Sequence, residues 1–132
     1  KIRSFLPQSG KLLYCISDAH VNGVTALTST SDNQRLISGG MNGEIRIWRI
    51  GRQSQTMESS LKEHRGRVWS IQVNSLNDRA ISASADGSCI IWDIKSYTRL
   101  ACMFENTMFK QLVYHPSESQ ILTTGSDKKV KN

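Results

Sequence analysis

No stretch of this 132-residue chain comes near the roughly 20 consecutive apolar residues that span a bilayer. Neither a membrane-crossing helix nor a membrane partner is therefore expected. The amino terminus, Lys1 to Pro7, lacks the apolar core of a signal peptide and does not begin with Met. The chain reads as a piece of something larger. It has no Asn-x-Ser/Thr glycosylation acceptor, and its three cysteines, Cys15, Cys89 and Cys102, form no CxxC pair. An odd, scattered set of this kind reads as reduced, buried thiols of a cytosolic protein. Glycine-rich phosphate and dinucleotide motifs are missing, as is the HExxH zinc motif, and the three histidines and three cysteines show no ligand spacing. No metal and no cofactor are expected. Hydrophobic residues at 38% and charged residues at 21% also exclude a disordered tail.

What the chain does have is a period. The segment from Val24 to Trp48 aligns without a gap on the segment from Val68 to Trp92, 44 positions later, and His20 and His64 keep the same offset. A third copy opens at Phe109 and runs through Gln120 to Asp127, offset by 41 from the second, and the sequence stops at Asn132 before its Trp position. Each unit reads as short strands. Val24 and Leu27, then Val68, Ile71 and Val73, then Phe109, Leu112 and Tyr114 open the units in extended runs. Asn42-Gly43 and Asp86-Gly87 are tight-turn signals, because glycine accepts positive φ without a Cβ clash. Ile45 to Trp48 and Cys89 to Trp92 supply a third strand, and Thr98 to Cys102 a fourth, of which Gln55 to Leu61 is a poorer version. No helical period is sustained, so the chain is all-β.

A histidine, a Trp twenty-eight residues later, Asp-Gly before that Trp and a period of 40–45 resemble the WD-repeat signature. Trp92-Asp93 carries the name-giving dipeptide; Trp48-Arg49 departs from it. The resemblance implies a β-propeller of four-stranded blades. Residues 1–19 would be the last strands of a preceding blade, 20–63 and 64–104 two WD repeats, and 105–132 a truncated one. A seven-bladed ring would need roughly 300 residues at this period. The expected architecture is thus an incomplete arc of about three blades from a seven-bladed propeller, closed by the rest of its own chain or by another copy.

His64, Ser82 and Asp86 hold the residue types of a hydrolase triad. The same constellation recurs as His20, Ser38 and Asn42, each followed by its Trp, and a nucleophile system has no reason to repeat once per blade. In propellers of the resembled family, such residues form a buried hydrogen-bond network, and the chemistry suits it. Imidazole donates from one nitrogen and accepts at the other, carboxylate accepts, and hydroxyl and indole N–H fill the rest. His64, Ser82, Asp86 and Trp92 would form the complete network, and His20, Ser38, Asn42 and Trp48 one without the charge. The third copy has Thr123 and Asp127 but Glu105 at the histidine position.

Lysine and arginine outnumber acidic residues 17 to 11, a net charge of +6, which favours an acidic partner such as tubulin over a neutral one. Local groups are Arg46, Arg49 and Arg52; Lys62, Arg65 and Arg67; and Lys128, Lys129 and Lys131. Nucleic acid is not the expected partner, because no stacking aromatics punctuate them. Arg65 and Arg67 are placed by the resemblance at the rim where partners dock. Trp69 either joins them at the channel mouth as an anchor or packs between blades. Outside the repeat pattern, Lys1 to Tyr14, Ile37 to Trp48, Arg49 to Gln55 and Glu105 to Pro116 resemble a family of WD-repeat proteins of motile cilia. That likeness implies two tandem propellers inside axonemal doublet microtubules, bound to tubulin and other axonemal proteins, with an architectural role and no catalysis. A general cytoplasmic WD-repeat scaffold and a propeller of an RNA-processing particle are the alternatives.

Overall fold

The computed structural model describes residues 1–5, 8–10, 12–51 and 55–104, and the strand backbones within 109–114, 121–125 and 130–131. The described residues contain strands and turns and no helix, as the repeat pattern requires. The strands are β1 (Ile2–Phe5), β2 (Leu12–Ile16), β3 (Val24–Ser29), β4 (Arg35–Gly40), β5 (Glu44–Ile50), β6 (Gln55–Lys62), β7 (Val68–Val73), β8 (Arg79–Ser84), β9 (Ser88–Asp93), β10 (Thr98–Phe104), β11 (Phe109–Tyr114), β12 (Ile121–Gly125) and β13 (Val130–Lys131). They form four antiparallel sheets: β1–β2, β3–β4–β5–β6, β7–β8–β9–β10 and β11–β12–β13. Successive strands pair with successive strands, so each four-stranded sheet is a meander. The two complete sheets are called the first and second blades below.

Side chains alternate between two neighbours along each blade. On β5, Ile45 and Ile47 face the second blade, packing with Ile37, Val68, Ile71, Ile90 and Trp92. Trp48, one residue out of phase with them, packs with Leu36, Ile2, Ile16 and Ala19 on the side of β1–β2. On β9, Ile90 and Trp92 turn back toward the first blade, while Cys89 joins Ile81 and Ala83 on the opposite face. A blade therefore has no core of its own; it buries its two faces only against its neighbours.

β6 is a full eight-residue strand despite its polar sequence, because seven residues of β5 pair with it and that pairing overrides weak intrinsic preference. Cys89 is buried, but Cys15 is exposed and Cys102 only partly buried, contrary to the expectation of buried thiols; Cys15 alternates on β2 with the buried Ile16 and so lies on the other face. All three thiols are free.

Three polar ties join the blades. Thr25 donates its hydroxyl to the Val68 carbonyl at 2.7 Å. At the opposite end, the Asn77 amide accepts from the Ser31 N–H at 3.0 Å and donates to the Ser31 hydroxyl at 2.8 Å. At the outer edge, Glu58 of β6 accepts from Arg35 Nε at 3.0 Å and Arg49 Nη1 at 3.2 Å, and from the hydroxyl of Tyr97 in the second blade.

The closest approach is at the turn between β4 and β5. Gly43 has φ +88°, and a Cβ there would lie 2.2 Å from the carbonyl oxygen of His64. Gly43→Ala combines a left-handed backbone with a backbone collision and should destabilise the protein by well over ~1 kcal/mol. Gly10, at φ +70° with open space around it, is the control: Gly10→Ala should cost about 1 kcal/mol. Equal shifts of the two variants in urea denaturation would contradict the close approach.

Candidate functional site

In the second blade the buried polar groups form one directed chain. The Trp92 indole N–H donates to Ser82 Oγ at 2.8 Å, and Ser82 Oγ lies 2.6 Å from His64 Nε2. His64 Nδ1 is 2.7 Å from Ser88 Oγ, and the Ser88 hydroxyl donates to Asp86 Oδ1 at 2.5 Å. With His64 neutral and Asp86 ionised, Ser88 must accept from the ring in order to donate to the carboxylate, so the His64 proton is on Nδ1 and Ser82 donates to Nε2. Asp86 also accepts from the Ser88 N–H at 2.9 Å and from the Arg65 N–H at 2.8 Å. The carboxylate thus ties the β8–β9 turn to the linker that enters β7.

Ser88 is the residue that sequence reasoning missed. It stands between histidine and aspartate, whose direct separation is 3.7 Å. The only signal for it was its place two residues after Asp86 in a strand that opens with a buried polar residue.

Burial pushes the His64 pKa below its ordinary 6.5 against the opposing pull of Asp86. Burial alone would raise Asp86, but the Arg65 N–H and the hydroxyl and N–H of Ser88 outweigh it and hold the carboxyl below its ordinary 3.8.

The first blade brings together only part of its set. Trp48 donates to Ser38 Oγ at 2.9 Å, and His20 Nε2 lies 2.7 Å from the same oxygen. Asn42 does not reach the histidine. It accepts from the Glu44 N–H at 3.1 Å, repeating the turn contact of Asp86 with the Ser88 N–H, and His20 Nδ1 is buried without a partner. Glu44 stands where Ser88 stands in the next repeat, and its carboxylate is committed elsewhere, to Arg46 Nε and Ser60 Oγ, each at 2.5 Å. Of the third copy, Glu105 and Asp127 and the side chain of Thr123 lie outside the described residues.

The basic groups divide. Arg46 and Arg49 are ion-paired with Glu44 and Glu58. Arg65 and Arg67 are exposed, and the Arg67 guanidinium sits over the half-buried Trp69 ring, 5.7 Å from its centroid. Arg52 and the side chains of Lys128, Lys129 and Lys131 lie outside the described residues. Among the described residues no three His, Cys, Asp or Glu gather as a metal site, and no helix is long and apolar enough to cross a membrane.

Four-stranded meanders that repeat a histidine and a tryptophan at the same offset, and bury their faces on one another, are the blades of a β-propeller. The family described as "WD domain, G-beta repeat" matches residues 10–49 and 55–93, and the chain belongs to that family. Each matched stretch opens at or just before the last strand of one sheet and ends on the third strand of the next, so the motif is out of phase with the sheet. Three relatives share the name cilia- and flagella-associated protein 52. The chain is 53% identical to that of Chlamydomonas reinhardtii, 49% to that of Sus scrofa and 48% to that of Homo sapiens, each over 98% of this chain and 21% of the relative. The chain spans about a fifth of the length of these relatives.

Asp86→Ala leaves the Ser88 hydroxyl and the Arg65 N–H unpaired and should destabilise by roughly 1–3 kcal/mol. Asn42→Ala removes a single acceptor and should cost about 1 kcal/mol or less. A neutral Asp86→Ala in chemical denaturation would sink the network.

The pH dependence has a definite sign. Above the ordinary 6.5, His64 and His20 are neutral in both states; below it the unfolded chain binds protons that the folded chain, with both pKa values lowered, does not. The urea midpoint should therefore be lower at about pH 5.5 than at about pH 7.5. Asp86, depressed below 3.8, keeps its full contribution across that window. A midpoint that rises on acidification would contradict the neutral assignment.

Proposed function

We propose that this chain is a non-catalytic, architectural part of a WD-repeat protein of motile cilia and flagella. In this reading it binds tubulin and other axonemal proteins inside the doublet microtubules and stabilises them. The observation that carries the reading is the identity of about one residue in two, over 98% of this chain, to proteins named for cilia and flagella in an alga-to-mammal range of sources. Physical features support it. Blades tied by carboxylate, amide and hydroxyl bridges at both ends and at the rim make a stiff body, which suits a bracing role. The net charge of +6 suits an acidic protein surface, and Arg65 and Arg67 supply exposed cations beside the half-buried Trp69 ring. The polar constellation that a hydrolase would need is buried, with Ser82 fully covered and His64 3% exposed, which suits packing and not attack on a substrate. In this reading the rest of the protein's own chain, or another copy, closes the ring of seven blades.

Extraction of the tagged full-length protein from isolated cilia tests the reading. It should resist detergent and high salt and leave only as the doublets dissolve. Release by detergent alone would overturn the doublet assignment and leave a general cytoplasmic WD-repeat scaffold as the better description.

A further inference from the structure

The chain holds two Asn-Gly pairs, Asn22-Gly23 and Asn42-Gly43, and the fold treats them differently. Asparagine before glycine readily loses its side-chain amide, because glycine has no Cβ to hinder attack by its own nitrogen. In that reaction the glycine nitrogen bonds to the asparagine Cγ, and the Cγ–Nδ2 bond breaks. Ammonia leaves with the proton of the glycine N–H, and a succinimide ring remains. Water then opens the ring. Cleavage of the N–Cγ bond gives aspartate. Cleavage of the bond from nitrogen to the main-chain carbonyl gives isoaspartate, whose backbone runs through the former side chain. The reaction needs only water.

At Asn42-Gly43 every reacting group is held. Asn42 Oδ1 accepts from the Glu44 N–H at 3.1 Å, and the Gly43 N–H donates to the Gly40 carbonyl at 3.2 Å. Gly43 is buried against the His64 carbonyl, which leaves the turn no room to rearrange. Asn74, in the turn between β7 and β8, is held in the same manner. Its Oδ1 accepts from the Asp78 and Arg79 N–H groups, and its Nδ2 donates to Asp78 at 2.6 Å.

Asn22-Gly23 has none of these restraints. It lies in the linker from β2 to β3, where Asn22 takes the place that Gly66 has between Arg65 and Arg67, 44 positions later. Asn22 is exposed, and neither its amide nor the Gly23 N–H has a hydrogen-bond partner among the described residues. The nearest atom that a Cβ on Gly23 would meet is Met41 Cγ, 3.9 Å away. The linker is anchored on either side of the reacting groups: Arg46 Nη1 donates to the Ala19 carbonyl at 2.8 Å, and the Met41 N–H to the Gly23 carbonyl at 3.2 Å. Nothing opposes the rotation that brings Cγ onto the Gly23 nitrogen.

We propose that Asn22 is a site of spontaneous deamidation, converted to aspartate and isoaspartate while Asn42 is preserved. Either product adds a negative charge to the end of the blades where Arg65 and Arg67 stand. Isoaspartate also lengthens the backbone between His20 and β3 by one methylene. It presents a free carboxylate on an exposed linker, the substrate of an enzyme that methylates isoaspartyl residues. The proposal does not depend on where in the cell the protein works.

The purified full-length protein, kept at neutral pH and physiological temperature, provides the test. Tryptic peptides are followed by fragmentation mass spectrometry, and isoaspartate by enzymatic methyl transfer to the peptide that carries Asn22. That peptide should gain the acid form steadily and become a methyl acceptor. Asn42 should convert at least about tenfold more slowly, because it reacts only from a locally opened state. In concentrated urea the two rates should converge, since the residue pair is the same. The proposal is overturned if Asn22 keeps its amide in the folded protein for as long as the urea-unfolded protein takes to convert half of it. It is equally overturned if Asn42 keeps pace with Asn22 in the folded protein.

Discussion

A histidine buried in the wedge between two sheets has to satisfy both ring nitrogens, and the arrangement around the blade junction follows from that need. His64 is only 3% exposed. Its two bonds fix where Ser82 and Ser88 must lie, and those serines in turn need a donor and an acceptor beyond them. Trp92 supplies the donor and Asp86 the acceptor. Because Trp92 and Ser88 sit at opposite ends of β9, Ser82 on β8 and His64 on the linker, one chain of hydrogen bonds spans two strands and the entry to a third. Asp86 then captures the Arg65 N–H and holds the linker down. The carbonyl of His64, on that same linker, is what Gly43 of the preceding blade approaches. Blade-to-blade spacing is thus set through the residue whose ring organises the next blade's interior.

The two junctions solve the same packing problem with different chemistry. Against β1–β2, the first blade uses charge: Arg46 and Glu44 fill the wedge and tie it to the linker carbonyl of Ala19, and the histidine is left with one nitrogen unpartnered. Against the first blade, the second uses the hydrogen-bonded chain that ends on Asp86, together with an isoleucine, and satisfies both nitrogens of its histidine. Glu44 in place of Ser88 is the pivotal difference. A carboxylate on the longer stem bends to its own arginine and cannot serve as the hydroxyl bridge between a histidine and the turn.

The period of 44, the strands and the turns at Asn42-Gly43 and Asp86-Gly87 were legible because they rest on position-independent physics: alternation, and glycine at positive φ, +88° at both turns. The members of the polar chain were legible through recurrence, since a histidine, a serine and a tryptophan at fixed offsets stand out in any alignment of a sequence with itself. Ser88 was not, because a second serine near a turn carries no distinguishing chemistry until its neighbours are placed. Asn42 read as a member by analogy with Asp86, yet it is spent on its own turn. Tyr97 adopts φ +59° without any glycine to announce it, and its partner Glu58 lies 39 residues away, so the outer tie was invisible in one dimension.

The central claim is that the repeated polar constellation is a structural chain with a fixed direction of donation, and the protonation of one ring reports that direction. Long-range proton–nitrogen correlation NMR on the full-length protein with nitrogen-15-labelled histidine, at neutral pH, reads it out. The account predicts a neutral His64 with its proton on Nδ1 and an unprotonated, accepting Nε2. A His64 that carries its proton on Nε2, or that is charged at neutral pH, would donate to Ser82 instead of accepting from it and contradict the account.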